Sequence, residues 1–143
     1  SFTELVRRAA DLMPDGGSAL TLTYGGSTKV MPNYNVMGVA KAALESSVRY
    51  LASDYGGEGI RVNAISAGPM RTLAGAGITG ARAMYAFQKR HSPLRRTVSL
   101  EDVGGSALYL LSPLSGGVTG EVHYVDAGYN IISTPRPEDL NGD

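Results

Sequence analysis

The sequence predicts an α/β fold in which helices cover both faces of an open, doubly wound parallel sheet. Two short runs of β-forming residues, 19–24 and 60–66, are separated by a long amphipathic segment. A third run, 121–125, follows another helical stretch. A strand, a helix and a second strand in this order form a right-handed parallel crossover. The three strands therefore predict the second half of a doubly wound sheet.

The first half of the chain contains two helical patterns, each closed by glycine. Residues 3–13 predict a helix that ends at Pro14-Asp15-Gly16-Gly17. Residues 33–55 predict a long crossover helix that ends at Gly56-Gly57. Its apolar stripe consists of Ala40, Leu44, Val48, Leu51 and Tyr55. A helix of this length is suited to cover one face of the sheet.

The second half of the chain makes a longer excursion before its last strand. Residues 69–80 are rich in glycine and lead into a predicted helix over 81–90, so this segment is a candidate lid. Ser99 is followed three residues later by Asp102, which resembles a capping box. This pair predicts the start of a further helix that runs through Leu111.

We expect residues 1–143 to be the C-terminal part of a single domain. The 143 residues contain no fixed-period repeat and no linker that would divide them. Three parallel strands alone leave one face and one edge of the sheet uncovered, so further strands are expected from outside this sequence. The polar tail after Tyr129 is expected to fray or to dock on a neighbour.

Composition narrows the class of function. A content of 43% hydrophobic and 18% charged residues is typical of a soluble globular protein. Thirteen basic residues balance thirteen acidic ones, so neither a nucleic-acid partner nor an anionic membrane is expected. The absence of cysteine excludes disulfides and thiol nucleophiles and fits a reducing compartment, so the expected location is the cytoplasm. No metal site is expected, because His91 and His123 lack neighbours at ligand spacing.

Tyr34 and Lys41 form the most informative pair. Seven residues are almost two helical turns, so the two side chains are predicted to share one helix face, about 10 Å apart. A phenol and an ammonium in this arrangement can engage two parts of one bound molecule, and the positive charge can favour phenolate character. The same pair is also an ordinary combination on a solvated helix surface.

The predicted position of Tyr34 and Lys41 in the fold favours a functional role for the pair. In an open parallel sheet, ligands bind beyond the carboxyl ends of the strands. Tyr24, the start of the Tyr34 helix and Ala67-Gly68-Pro69 are all predicted to meet at that edge. These separate parts of the sequence therefore converge on one cleft that binds a small ligand.

One formal motif match is rejected. Gly75-Ala76-Gly77-Ile78-Thr79-Gly80 fits the spacing of the dinucleotide fingerprint. That fingerprint works only when its first glycine directly ends a strand and a helix N-terminus receives the pyrophosphate. Pro69 and further residues intervene here, so a hinge beside the lid is the better interpretation.

Several of these motifs together resemble the bacterial enoyl-acyl-carrier-protein reductases, a divergent branch of the short-chain dehydrogenase/reductases. The resemblance rests on Tyr24, on Tyr34 through Lys41, and on the run 63–74. Common members of the superfamily have the lysine four residues after the tyrosine, whereas the enoyl reductases have it at plus seven, as here. The resemblance runs from about Ser18 to Tyr129 and implies the C-terminal half of a Rossmann-like domain.

The resemblance implies reduction of a trans-2-enoyl thioester on acyl carrier protein, in fatty acid biosynthesis, with NADH as cofactor. Tyr34 would stabilise the enolate through its phenol, and Tyr24 would lie near the acyl chain. Lys41 would bind the nicotinamide ribose. Met70, Arg71, Thr72, Leu73 and Ala74 would contact the nicotinamide amide and pyrophosphate. A homotetramer is implied as well.

Two alternatives stay open at the level of sequence. One is a carbonyl reductase of the 3-ketoacyl type from the same superfamily, which shares the fold and the tyrosine chemistry. The other is a non-catalytic fragment whose long helix and last strand serve subunit assembly. The residues of the adenosine pocket and its glycine-rich turn are not in this sequence, so the isolated segment is expected to be inactive.

Overall fold

In a computed structural model, the chain is described over residues 1–70, 80–136 and 138. These residues form four α-helices and one three-stranded sheet, linked by short 3-10 turns. The helices are α1 (Phe2–Ala10), α2 (Val36–Tyr55), α3 (Ala81–His91) and α4 (Leu100–Leu111). The strands are β1 (Gly17–Thr23), β2 (Ile60–Ala67) and β3 (Val122–Val125). Among the described residues, no helix is long and apolar enough to cross a bilayer.

The sheet is parallel throughout, with β2 in the centre and β1 and β3 at its sides. The last residue of β1, Thr23, lies opposite Ser66, and Ala67 lies opposite Val125. All three strands therefore end at the same edge. The predicted strand, helix, strand order and its parallel crossovers are confirmed.

Alternation along β2 divides the core between the two faces of the sheet. Ile60, Val62 and Ala64 are buried against α1 and α2, in one apolar cluster. Ile65 and Ala67 belong to a second cluster with α4. A central strand covered on both faces explains why β2 is buried along almost its whole length. Helices cover both faces, as predicted.

Two polar side chains of β2 fix the neighbouring elements. The Arg61 guanidinium donates hydrogen bonds to the carbonyl oxygens of Leu110 at 2.9 Å and Ser112 at 3.1 Å, at the C-terminus of α4. Asn63 donates to the Val118 carbonyl and accepts from the Glu121 amide, both at 3.0 Å. These bonds hold α4 and the segment before β3 against the central strand. They thereby fix the position of β3 relative to β2.

The start of α2 differs from the prediction. The helix begins at Val36, and Tyr34 lies in the preceding turn between two residues with positive φ, Asn33 at 65° and Asn35 at 46°. Asparagine tolerates this backbone region better than most residues, so the pair ends helical geometry before Tyr34. The predicted stripe is buried at Val48 and Leu51 but exposed at its first residue, Ala40.

The capping box is confirmed at α4. The Ser99 hydroxyl accepts a hydrogen bond from the Asp102 amide at 3.2 Å, and the Asp102 carboxylate accepts one from the Ser99 amide at 2.8 Å. Two donors at the start of the helix are thereby satisfied.

The first residues of the tail are docked on the same chain. Asp126 accepts a hydrogen bond from the Asn130 amide at 2.8 Å, and the Lys29 ammonium donates to the Asn130 carbonyl at 2.5 Å. The expectation of a frayed tail is therefore wrong at Asn130. Residues 137 and 139–143, and residues 71–79 of the candidate lid, lie outside the described part of the chain.

Candidate active site

Tyr24 occupies the first position after β1. Its backbone is still extended, with φ −150° and ψ 148°, and a 3-10 turn over Gly25–Ser27 follows directly. The abrupt turn leaves the phenol at the carboxyl edge of the sheet, where parallel folds bind ligands. The predicted position of Tyr24 at this edge is therefore confirmed.

A cavity of about 100 Å³ lies at this edge, beside the ends of all three strands. Polar groups from the whole length of the chain converge on it, among them Tyr24, Lys29, Ser66, Gln88, Asp126 and Tyr129. Complete small-molecule sites have volumes of roughly 300–1,000 Å³. The cavity formed by the described residues is therefore smaller than a complete small-molecule site.

Tyr34 packs against Tyr24 edge to face. The ring centroids are 5.3 Å apart and the ring planes are inclined by 68°. A glycine makes this approach possible, because a Cβ atom on Gly26 would lie 2.5 Å from Cδ1 of Tyr34. Gly38 in the first turn of α2 has the same function, since its Cβ would lie 2.8 Å from the Gly26 carbonyl oxygen. The two glycines allow the start of α2 to close over the turn after β1.

Both phenols are held in their protonated form. Burial raises the pKa of Tyr24, and a hydrogen bond from Gln88 opposes that change. Burial also raises the pKa of Tyr34. At neutral pH each hydroxyl is therefore a hydrogen-bond donor. The expectation that Lys41 gives Tyr34 phenolate character is wrong, because desolvation moves the pKa of this phenol in the opposite direction.

Lys41 reaches the same strand end from inside α2. Its ammonium donates a hydrogen bond to the Leu22 carbonyl at 2.9 Å, two residues before Tyr24. An ammonium has three donors, so this bond leaves capacity for the hydroxyls of a ribose. The predicted shared helix face is wrong, since Tyr34 precedes the helix. The two residues instead converge on the end of β1, one from a turn and the other from a helix.

The remaining predicted cofactor contacts follow β2. Met70 is partly buried and packs against the apolar cluster between the sheet and α4. The other four residues, Arg71, Thr72, Leu73 and Ala74, lie outside the described residues. Their roles stay predictions.

One side chain of the cavity was not predicted from the sequence. Gln88 of α3 lines the cavity and donates a hydrogen bond to the Tyr24 hydroxyl oxygen. Tyr85, on the same helix, does not line the cavity, and its hydroxyl accepts a hydrogen bond from Thr97 at 2.6 Å. No local motif distinguishes Gln88, because its importance depends on how α3 docks.

Comparison with known proteins decides the family. The family profile described as enoyl-(acyl carrier protein) reductase matches residues 1–130. The chain belongs to this family. Over 140 residues it is 75% identical to enoyl-acyl-carrier-protein reductase (NADH) 2 of Rhizobium meliloti strain 1021, covering 98% of this chain and 52% of that protein. The FabI enzyme of Rickettsia typhi is 61% identical over 136 residues, with 95% and 52% covered.

Solved structures of enoyl-acyl-carrier-protein reductases share the fold. The crystal structure of FabI from Candidatus Liberibacter asiaticus matches with a TM-score of 0.92 and 69% identity, over 94% of this chain and 52% of that one. The enzyme from Anaplasma phagocytophilum, solved in complex with NAD, matches with a TM-score of 0.90 and 56% identity over the same shares. The chain thus spans about half the length of its relatives, namely their C-terminal half. The predicted family and Rossmann-like fold are confirmed.

Proposed function

We propose that this chain forms the catalytic half of an enzyme that reduces the trans-2 double bond of enoyl-acyl-carrier-protein thioesters. The observation that supports this most directly is the protonated pair Tyr24 and Tyr34, packed 5.3 Å apart at the end of β1 with Lys41 bonded to the same strand end. Family membership supports the substrate class. The physiological role is a reductive step of fatty acid biosynthesis, in the cytoplasm.

In this proposal the chain provides hydrogen-bond donors for the acyl group. NADH, when bound, supplies the hydride that reaches the β-carbon of the enoyl thioester. As the carbon–carbon double bond breaks, negative charge develops on the thioester oxygen, and the Tyr34 hydroxyl donates a hydrogen bond to it. A proton taken up from solvent then adds to the α-carbon and completes the saturated acyl product. Tyr24, in the lining of the cavity, lies near the acyl chain.

Lys41 orients the cofactor. Its remaining donors would bind the hydroxyls of the nicotinamide ribose, and Met70, Arg71, Thr72, Leu73 and Ala74 would contact the nicotinamide amide and pyrophosphate. The cavity of about 100 Å³ beside Tyr24 is smaller than a complete cofactor site, and neither Lys41 nor Met70 lines it. The adenosine end then depends on the other half of the domain, so residues 1–143 are the C-terminal part of one Rossmann-like domain and are inactive by themselves.

A homotetramer is the proposed assembly. The outward face of α2 is apolar, with Val36, Val39 and Tyr50 each at least 70% exposed. An apolar stripe of this kind on a long helix is typical of a helix that packs against a partner subunit. Light scattering of the complete enzyme at micromolar concentration tests this, and a monomer would contradict it.

The decisive experiment joins this chain to the N-terminal half of the 75% identical Rhizobium meliloti relative. We call this fusion the joined enzyme. NADH oxidation at 340 nm is followed with an enoyl thioester and, separately, with a 3-ketoacyl thioester. The proposal expects activity with the enoyl substrate, and preference for the ketoacyl substrate would instead favour a carbonyl reductase.

Variants of the joined enzyme test the residue roles. Tyr34→Phe is expected to lower kcat by roughly 100-fold or more, as loss of one oxyanion donor does in other enzymes. Tyr109→Phe is the matched control, because Tyr109 lies on α4, away from the cavity. Wild-type rates in both Tyr34→Phe and Lys41→Ala would refute the assigned roles. A joined enzyme that folds but neither binds NADH nor turns over would support the non-catalytic alternative.

A further inference from the structure

Gln88 connects α3 to the candidate active site. Its side chain is buried, at 5% exposure, and its Nε2 atom lies 3.4 Å from the hydroxyl oxygen of Tyr24. The next two residues of the helix, Lys89 and Arg90, face solvent. Gln88 thus lies on the inner side of α3 as it passes the cavity.

The two groups in this contact determine which of them donates the hydrogen bond. The nitrogen of a glutamine amide only donates hydrogen bonds, so the Tyr24 oxygen is the acceptor. A phenol that accepts from one side keeps its own proton for another partner. Gln88 and Tyr24 both line the cavity, so that proton is left for an acceptor at another position around the phenol oxygen.

We propose that Gln88 is a positioning residue that directs the Tyr24 hydroxyl proton into the cavity, toward an oxygen of the bound acyl thioester. This inference rests on the proposed function for the identity of the acceptor. It makes Tyr24 a second oriented donor beside Tyr34. Through this hydrogen bond, the position of α3 also affects the active site.

Two further observations agree with this role. The Gln88 bond lowers the pKa of Tyr24, against the larger effect of burial, which is the direction expected for a donor to the phenol oxygen. The ring of Tyr24 is also held by Tyr34, edge to face at 5.3 Å. With the ring fixed by one neighbour and the hydroxyl by the other, Tyr24 has little freedom to turn its proton elsewhere.

The first test reads the phenol directly, without activity. The joined enzyme is labelled with tyrosine carrying ¹³C at Cζ, and the Tyr24 signal is identified by its loss in Tyr24→Phe. Replacing the donor by Gln88→Met is expected to move the titration midpoint of this signal upward. Lys89→Met, on the solvent side of the same helix, is expected to leave it in place. An unchanged midpoint in Gln88→Met would overturn the proposal.

The second test is kinetic. Gln88→Met is expected to lower kcat/KM for the enoyl thioester roughly fivefold, the usual effect of one neutral hydrogen bond, but to have no effect in a Tyr24→Phe background. An equal loss in both backgrounds would show a merely structural role and would overturn the proposal. If Gln88→Met fails to fold, Gln88→Glu replaces it. A carboxylate there would attract the phenol proton, so its loss of activity should deepen as pH rises through the pKa of the glutamate.

The two proposals fail in different ways. An inactive joined enzyme whose Tyr24 signal still responds to Gln88→Met would refute the proposed reaction and retain the contact. If the joined enzyme is active but Gln88→Met leaves the titration midpoint of the Tyr24 signal unchanged, the proposed reaction stands and the role of Gln88 is refuted.

Discussion

The Lys41 ammonium is bonded to the carbonyl oxygen of Leu22, which places its charge two residues before Tyr24 on the end of β1. Helix α2 and strand β1 are thus joined at the point where a cofactor would lie. The bond limits the freedom of a long, flexible side chain before any ligand arrives.

This preorganisation predicts a binding defect in Lys41→Met. Loss of a charged donor to the ribose should raise KM for NADH about tenfold or more, since hydrogen bonds to charged groups are stronger than neutral ones. The measurement is a titration of NADH fluorescence together with initial rates in the joined enzyme. Arg49→Met, an exposed change on the same helix, is the control. An unaltered KM for NADH in Lys41→Met would contradict the ribose contact.

Gly26→Ala should disturb the tyrosine pair. The added methyl would lie 2.5 Å from the Tyr34 ring, so the ring must move away from Tyr24. We expect about 1–3 kcal/mol lower free energy of unfolding, as for other overpacked sites, and a fall in kcat. Gly57→Ala is the matched control, because a Cβ there meets no atom within 4 Å. Urea unfolding of both variants measures the difference, and equal stabilities would argue against the close approach.

The pH profile should stay flat on its alkaline side. The Tyr34 hydroxyl acts as a donor only while protonated, and burial raises its pKa above the ordinary value of 10.0. Activity is then retained below pH 10 and lost only as pH rises through the higher pKa. The pH dependence of kcat/KM in the joined enzyme tests whether activity is lost only above pH 10. A loss assigned to Tyr34 near pH 8 would be inconsistent with a buried, protonated phenol.

Removing the cap of α4 should lower stability without altering the site. Ser99→Ala deletes the acceptor for the Asp102 amide, and loss of such a cap costs about 1 kcal/mol. Ser53→Ala, at an exposed position inside α2, serves as control. Denaturant unfolding is the measurement, and KM values should not change.

The acid side of the stability curve should depend on Asp102. Hydrogen bonds from Arg96 and from the Ser99 amide lower the pKa of this carboxyl from 3.8 to about 2. Its contribution to stability is therefore present above pH 3.8 and is lost as pH falls toward 2. Asp102→Asn should flatten the acid unfolding curve in that interval. A curve identical to that of the wild type would show that the pair has no net effect.

Much of the fold was readable from local patterns. Runs of β-forming residues with flanking glycines placed β1 and β2 within two residues, and the capping box at Ser99 marked the start of α4 correctly. These signals lie within short segments, so no tertiary information is needed. The seven-residue spacing likewise singled out Tyr34 and Lys41, which converge on the end of β1, although the predicted shared helix face is wrong.

The errors share a tertiary cause. Periodicity continued α2 back through Tyr34, but positive φ at Asn33 and Asn35 ends the helix so that the tyrosine ring can rest on Gly26. Gln88 was missed because only the docking of α3 brings it to Tyr24. Such contacts depend on long-range packing, which composition and spacing do not encode.

Within the described residues, β1 borders the sheet with β2 on one side and no strand on the other. This open edge of β1 is where a strand of the complementary half would pair. Produced as two separate polypeptides in one cell, this chain and the complementary half of its Rhizobium meliloti relative should reassemble along β1 and recover reductase activity. Proline substitutions in β1 that block pairing on the open side should prevent that complementation.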